Sequence, residues 1–312
     1  MTIRDASREA ASILAASPRL DETARNSRSL DISVILANLL GTGRSWVLAH
    51  PEAELGGREA AFFDAIRRRA DGIPVAYITG TKEFWGLPFT LTPDVLIPKP
   101  DTEIHVERAI AIIERREAER FPERVPDTRP TDGSRACMPR VQVLDVCTGS
   151  GCVAVSLAHT RPEIEMTATD ISAKALAIAA RNTDTLLPRG APIRFFEGDL
   201  RDGLPPPADG GKYALVVSNP PYVPTEVARG LLADGRSEPI LALDGGADGL
   251  DLVRPLVRAA REVLGSGGFF LVETGEYNAK DAAGHLKENG FVDIVIHTDL
   301  EGQDRVVEGR LE

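Results

Sequence analysis

The apolar positions of this chain change period twice along its length. Up to about residue 75 they recur at helical spacing. Ile3, Ala6, Ala10, Ile13 and Leu14 share one face, and Asp31 to Leu40 is a second apolar-faced segment closed by Gly41. Ala61, Phe62, Ala65 and Ile66 mark a third helix between Glu59 and Ala70. Arg67, Arg68 and Arg69 complement the dipole at its C-terminal end and read as a solvated helix end rather than a nucleic-acid contact. From Ile73 to Glu103 the period shortens. Val75 to Gly80 and Phe84 to Leu91 read as extended pieces with glycine turns, a hairpin between two domains. Leu96 to Glu103 then leads into a helix of about 15 residues, with Asp101 or Thr102 expected as its cap. Residues 115–140 are charged, broken by Pro122, Pro126, Pro130 and Pro139, and aperiodic, so a surface loop or flexible insert is expected.

From Val141 onward short apolar runs alternate with helical stretches. Strands are expected at 141–147, 164–169, 193–196, 213–217 and 268–273. Helices are expected at 152–160, 172–186, 251–264 and 279–289, and strands at 291–297 and 305–310 close the chain. Such alternation specifies an α/β fold, a mostly parallel, doubly wound sheet with helices on both faces. The two consecutive strands at the end indicate an antiparallel edge. The expected organisation is a helical bundle over 1–75, a β-hairpin linker over 76–103 and an α/β domain over 104–312 that carries the insert. The bundle holds no catalytic constellation and reads as a substrate-docking domain.

Composition narrows the class. A hydrophobic content of 43% and a charged content of 27% are ordinary for a globular protein. No apolar run is long enough to span a membrane, and Met1 to Ala16 lacks the apolar core of a signal peptide. Cys137, Cys147 and Cys152 have no C-x-x-C spacing, so a cytoplasmic, reduced protein without a structural metal is expected. The net charge of −11 argues against a large phosphate-backbone footprint, and nucleic acid is not expected as a direct substrate.

The chemistry gathers at strand ends. Ser218-Asn219-Pro220-Pro221-Tyr222 follows the buried run Tyr213 to Val217, where an open α/β sheet places its ligands. Proline has no N–H and forces its predecessor to extended geometry. The Asn219 side-chain oxygen and the Pro220 carbonyl then form a pair of acceptors for a planar –NH2 group, and Tyr222 can stack on its flat face. A strand ending in a proline turn is the plain alternative. Gly149-Ser150-Gly151-Cys152-Val153-Ala154 fits G-x-G-x-x-A, with Asp170 near the spacing of a ribose-binding carboxylate. The glycines and the free N–H groups of a helix N-terminus suit a pyrophosphate or the carboxylate of a methionine moiety equally. Asp170 would otherwise cap the following helix. Asp199, beside Leu200 after the third strand, is placed for an adenine amino group or, more plainly, for capping a turn. Two features decide between cofactors. An Asn-Pro-Pro-Tyr has no role in hydride transfer, and no acid/base His or Tyr-x-x-x-Lys pair stands beside it. S-adenosylmethionine is the expected cofactor.

With those residues in hand the chain resembles the class I S-adenosylmethionine methyltransferases. Within them it is similar to the peptide chain release factor glutamine N5-methyltransferases, the PrmC/HemK family. The resemblance spans Gly72 to Gly80, Glu83 to Phe89, Val95 to Glu103, Leu144 to Gly151, Ser218 to Tyr222, Glu238 to Leu250 and Asp304 to Val307. It implies a seven-stranded sheet and a cofactor site built on Cys147, Thr148, Gly149, Ser150, Gly151, Asp170, Asp199, Leu200 and Asn219. It further implies that Asn219, Pro220, Pro221 and Tyr222 receive the side-chain amide of the glutamine in the Gly-Gly-Gln loop of class I release factors, with no metal. Lys99 stands where the family has arginine, Cys147 where it has glycine, and the insert is longer than expected. An N6-adenine DNA or RNA methyltransferase, a ribosomal-protein glutamine methyltransferase and a cofactor-binding adaptor without turnover remain as alternatives.

Overall fold

The computed structural model describes residues 1–120, 140–188, 193–233 and 238–312. Six helices open the chain: α1 (Ile3–Ala15), α2 (Glu22–Asn26), α3 (Arg28–Leu40), α4 (Arg44–Ala49), α5 (Glu59–Ala70) and α6 (Val75–Thr79). The Thr2 hydroxyl caps α1 by accepting the Asp5 N–H at 3.2 Å, and Gly41 closes α3 in the left-handed region. Ile3, Leu14, Leu36, Phe62 and Ile66 meet in a core of their own. The arginine triplet is not wholly solvated. Arg69 turns back and pairs with Asp31 at 2.8 Å, both side chains 12% exposed.

The expected extended piece at Val75 to Gly80 is instead the helix α6. Five residues, four of them apolar, carry too little pattern to tell strand from helix. Packing decides: Tyr77 is buried and donates its hydroxyl to the Val95 carbonyl at 2.6 Å, while Gly80 stops the turn at φ 72°. The hairpin follows as β1 (Thr81–Phe84) and β2 (Leu87–Thr90), turning through Trp85 and Gly86, both at positive φ. Asp101 and Thr102, expected as caps, lie in a short 3-10 turn (Pro100–Thr102) ahead of α7 (Glu103–Arg120). The insert expected at 115–140 begins as the last turns of α7, and the remainder, with Cys137, lies outside the described residues.

Beyond it come β3 (Gln142–Val146), α8 (Cys152–Thr160), β4 (Glu165–Asp170), α9 (Ala173–Leu186), β5 (Arg194–Glu197) and β6 (Tyr213–Ser218). The chain ends with α10 (Thr225–Ala233), α11 (Val253–Val263), β7 (Leu264–Glu273), α12 (Ala279–Glu288), β8 (Phe291–Thr298) and β9 (Asp304–Leu311). Strands β3 to β9 form a seven-stranded sheet in the order β5-β4-β3-β6-β7-β9-β8, with β9 antiparallel to both neighbours. Helix α10 was not expected from the pattern. Apolar clusters cover both faces of the sheet, one around Val143, Leu215 and Leu271 and the other around Leu144, Val216 and Phe270. Order reverses between β3 and β6, so a crevice opens at their carboxyl ends.

Candidate active site

The loops after β3, β4, β5 and β6 enclose one cavity. Cys147, Thr148, Gly149 and Ser150 line it from β3, Asp170 from β4, Asp199 and Leu200 from β5, and Asn219 and Pro221 from β6. Gly151, Pro220 and Tyr222 are not on its wall. Gly151 closes on α9, where a Cβ would stand 3.0 Å from that of Ala179 at φ 78°. Pro220 is buried beneath the loop.

Asp170 holds the glycine turn. Its Oδ2 accepts the Gly149 N–H and its Oδ1 the Ser172 N–H, both at 2.9 Å. Burial pushes its pKa up, and those two N–H groups oppose the shift. It does not cap α9; Ser172 does, accepting the Ala175 N–H at 3.2 Å. Asp199 is gripped by Arg201, whose Nε lies 2.9 and 3.0 Å from its two oxygens, and this contact holds its carboxyl below the usual range. Leu200, Ile171 and Leu252 give the cavity apolar walls, which suit the faces of a nucleoside between hydrogen-bonding carboxylates. The residues present therefore fit an S-adenosyl ligand.

Ser218 donates to the Val146 carbonyl at 2.7 Å and fastens β6 to β3 just before the Asn-Pro-Pro-Tyr. Asn219 Nδ2 donates one of its two N–H bonds to Thr102 Oγ1 at 3.3 Å, which turns the amide so that Oδ1 lies on the other side as the acceptor. Tyr222 donates its hydroxyl to Glu273 Oε1 at 3.1 Å, and its carbonyl accepts from Asn278 Nδ2 at 3.2 Å and Tyr277 at 3.3 Å. The following loop is pinned by Val223 N–H to the Leu243 carbonyl at 2.9 Å and Gly245 N–H to the Val223 carbonyl at 2.8 Å.

Residues 12–80 match the PrmC N-terminal domain, and residues 135–234 match the methyltransferase small domain. The release factor glutamine methyltransferase of Geobacter sulfurreducens is 37% identical over 90% of this chain and 89% of its own length. That of Bordetella pertussis is 38% identical over 90% and 94%, and that of Escherichia coli 33% over 90% and 91%. The chain belongs to the release factor glutamine methyltransferase family.

Its departures from the family resemblance acquire a physical meaning in the fold. Cys147 adopts φ 61°, a left-handed conformation in which glycine carries no steric penalty. Burial pushes its thiol well above the ordinary range, so it is no thiolate nucleophile. Lys99, between its two prolines, lines the cavity and donates to Glu238 Oε1 at 2.7 Å. The Glu238 side chain is 4% exposed and also accepts the Ile97 N–H at 3.3 Å. Glu103 accepts the Trp85 N–H at 2.9 Å and serves the hairpin rather than the site.

Four polar residues of the site were not singled out from sequence: Asp145, Thr102 in its present role, Glu238 and Glu273. Asp145 is 1% exposed on the cavity wall and accepts from Thr148 Oγ1 at 2.6 Å, and burial raises its pKa to about 7. One local signal pointed to it, a charged residue inside the apolar run of β3. Among the described residues no cluster of His, Cys, Asp and Glu is arranged to hold a metal, and no helix is long and apolar enough to cross a membrane.

Proposed function

We propose that this chain transfers the methyl group of S-adenosylmethionine to the side-chain amide nitrogen of the glutamine in the Gly-Gly-Gln loop of class I peptide chain release factors. The observation that carries the reading is the hydrogen bond from the Asn219 amide to Thr102, which turns Oδ1 to the other side as an acceptor beside a cavity fit for the cofactor. Bound cofactor supplies an electrophilic methyl on a sulfonium. The residues from Cys147 to Ser150 cradle its methionine end, with Gly151 closing the turn onto α9, Asp170 accepts from the ribose hydroxyls, and Asp199 and Leu200 flank the adenine. An amide nitrogen is a weak nucleophile because its lone pair is delocalised into the carbonyl. Asn219 Oδ1 and the Pro220 carbonyl accept its two N–H bonds, which orients the nitrogen and stabilises the charge that develops on it. Tyr222, anchored behind the loop, offers its ring to the flat amide, and Pro221 shapes the wall. Alignment supplies much of the remaining acceleration. The proton leaves after transfer, so no strong base is required.

In this reading residues 1–75 dock the release factor in the cytoplasm, residues 76–103 link, and residues 104–312 catalyse. The test is methyl transfer from labelled cofactor to a purified class I release factor, beside the same factor with its Gly-Gly-Gln glutamine changed to alanine. Label on the native factor alone is the expected result. Label on a ribosomal protein or on adenine-containing DNA, with none on either factor, overturns the assigned substrate. Asn219→Ala is expected to abolish turnover and leave much of the cofactor affinity, measured by calorimetry.

A further inference from the structure

Large apolar side chains left in water are informative by where they gather, since scattered ones are normal. In the α/β domain Ile171, Val227, Ile240, Leu241, Tyr277 and Leu300 are exposed, and all lie at the end of the sheet formed by the carboxyl ends of its parallel strands. Val295, within the edge strand β8, is the exception among the described residues. The end that carries the Asn-Pro-Pro-Tyr is therefore also the end that shows apolar surface to solvent.

Two of these side chains are held on stiff backbone. Leu300 is wholly exposed at the tip of the β8–β9 turn, and register brings that turn beside the end of β7: Thr298 faces Asp304, and Val306 faces Glu273. Asp299, its side chain almost buried, accepts the Glu301 and Gln303 N–H groups through Oδ1 at 2.9 and 3.0 Å, while Arg305 holds Oδ2 at 2.8 Å. A turn stiffened by a buried acid has no structural use for a leucine at its tip. Tyr277, more than half exposed, lies on the backbone of Gly275, where a Cβ would stand 2.6 Å from its Cζ. Its hydroxyl donates to the Tyr222 carbonyl at 3.3 Å, so the exposed ring adjoins the acceptor motif.

We propose that Tyr277 and Leu300 dock the segment of the release factor that carries the acceptor glutamine. Tyr277 offers a ring face to the flat glycine peptides beside the glutamine, and Leu300 takes an apolar side chain farther along the same segment. The occupant follows from continuity with the acceptor. A glutamine held at Asn219 brings its own backbone to the site, and Tyr277 stands there, bonded to the carbonyl that closes the motif. A small-molecule acceptor would end at the motif and leave Leu300 untouched. Both side chains sit on rigid backbone, so docking pays little for ordering them. The inference rests on the function proposed above.

The experiment uses the full chain with Leu300→Ser, Leu300→Met, Tyr277→Ala, Tyr277→Phe and, as a control, Val295→Ser. It measures kcat and KM for the purified factor, calorimetric cofactor affinity, and affinity for the factor whose Gly-Gly-Gln glutamine is changed to alanine, which binds without turnover. Leu300→Ser and Tyr277→Ala are each expected to raise KM and weaken that binding by about tenfold, with kcat and cofactor affinity within about twofold of the parent, the loss of one apolar contact made equally in ground and transition states. Leu300→Met and Tyr277→Phe keep the apolar body and are expected within about threefold of the parent, and Val295→Ser is expected to match it. Values for Leu300→Ser and Tyr277→Ala within about twofold of the parent, while the parent still methylates the factor, overturn the docking and spare the function. A Tyr277→Phe as impaired as Tyr277→Ala overturns the role of the ring, because the hydroxyl then acts by holding the Tyr222 carbonyl. A dimer in sedimentation that Leu300→Ser dissociates, with KM unchanged, gives the surface to a second copy of the chain and overturns the assigned occupant. If the parent transfers no label to the factor, the functional reading fails first and the docking with it.

Discussion

A Cβ on Gly249 would stand 2.2 Å from the carbonyl oxygen of Tyr222. One on Gly245 would stand 2.7 Å from the carbonyl oxygen of Pro221. The loop from Asp244 to Leu250 is therefore laid directly against the backbone of the Asn-Pro-Pro-Tyr, and its glycines are the reason the two segments approach so closely. Gly249 also holds φ 78°, where a side chain costs about 1–2 kcal/mol before any collision.

Gly249→Ala follows as a prediction about catalysis. The obstacle is backbone, so it can be relieved only by moving Tyr222 or the loop. We expect kcat to fall by about a hundredfold while cofactor affinity changes little, because the displaced atoms lie behind the acceptor and not on the cofactor wall. Steady-state kinetics with calorimetry on the same preparation decide it. A variant with parental kcat would mean the close approach has no bearing on the acceptor.

Cys147→Gly addresses strain in the opposite direction. The residue sits at φ 61° and its buried thiol hydrogen-bonds at most locally, near Ser218. Replacing it with glycine removes a left-handed penalty of about 1 kcal/mol and more, partly offset by the greater freedom of glycine in the unfolded chain. The midpoint of urea unfolding should rise, with an unchanged m-value. A lowered midpoint would show that the packing of the thiol outweighs the backbone relief.

How far such features could be read from sequence depends on where their partners lie. The strands, the glycine turn and the Asn-Pro-Pro-Tyr rest on local period and on the geometry of proline and glycine, and those are written in consecutive residues. Val75 to Thr79 reads as extended because five residues hold no period, and the Tyr77 contact with Val95 that settles the helix lies outside the window. Thr102 looked like a helix cap because capping is the local use of a threonine; its actual partner, Asn219, is 117 residues away. Glu238 meets Lys99 across 139 residues, and Glu273 meets Tyr222 across 51. Asp145 alone was detectable locally, as an acid in an apolar strand.

The bridge from Lys99 to Glu238 gives a prediction about binding. Lys99 lines the cavity and Glu238 directly precedes Pro239 on its wall, and the carboxylate is nearly buried while the ammonium is 39% exposed. Lys99→Met leaves Glu238 with only the Ile97 N–H and frees the 238–242 loop from the linker. Cofactor affinity should weaken about five- to tenfold, a modest loss because the exposed ammonium is already solvated. Lys99→Arg should keep the affinity, since the longer fork still reaches the carboxylate. Equal affinities for Lys99→Met and the parent would remove the bridge from any account of cofactor retention.

His105 provides the clearest pH dependence. It is fully buried between α7 and the sheet, and desolvation lowers its pKa to about 3 from an ordinary 6.5, with the Leu271 backbone opposing the shift. The folded protein thus holds fewer protons on this residue than the unfolded chain wherever the pH lies between those values. Its contribution is intact above about pH 6.5 and is lost as the pH falls toward 3, by about 2 kcal/mol at pH 5. Asp145 and Glu273 slope the other way. Their raised values, about 7, mean that burial costs nothing below the ordinary carboxylate range and progressively more as the pH rises to neutrality. The parental curve is the sum of these opposing slopes, so the difference between two proteins is the useful quantity. His105→Leu removes the titration and keeps an apolar body of similar reach. Whatever its absolute stability, its free energy of unfolding relative to the parent should improve by about 2 kcal/mol between pH 8 and pH 5 in urea titrations. Parallel curves for the two proteins over that interval would mean that His105 is protonated in the folded state and that a counter-charge compensates for its burial.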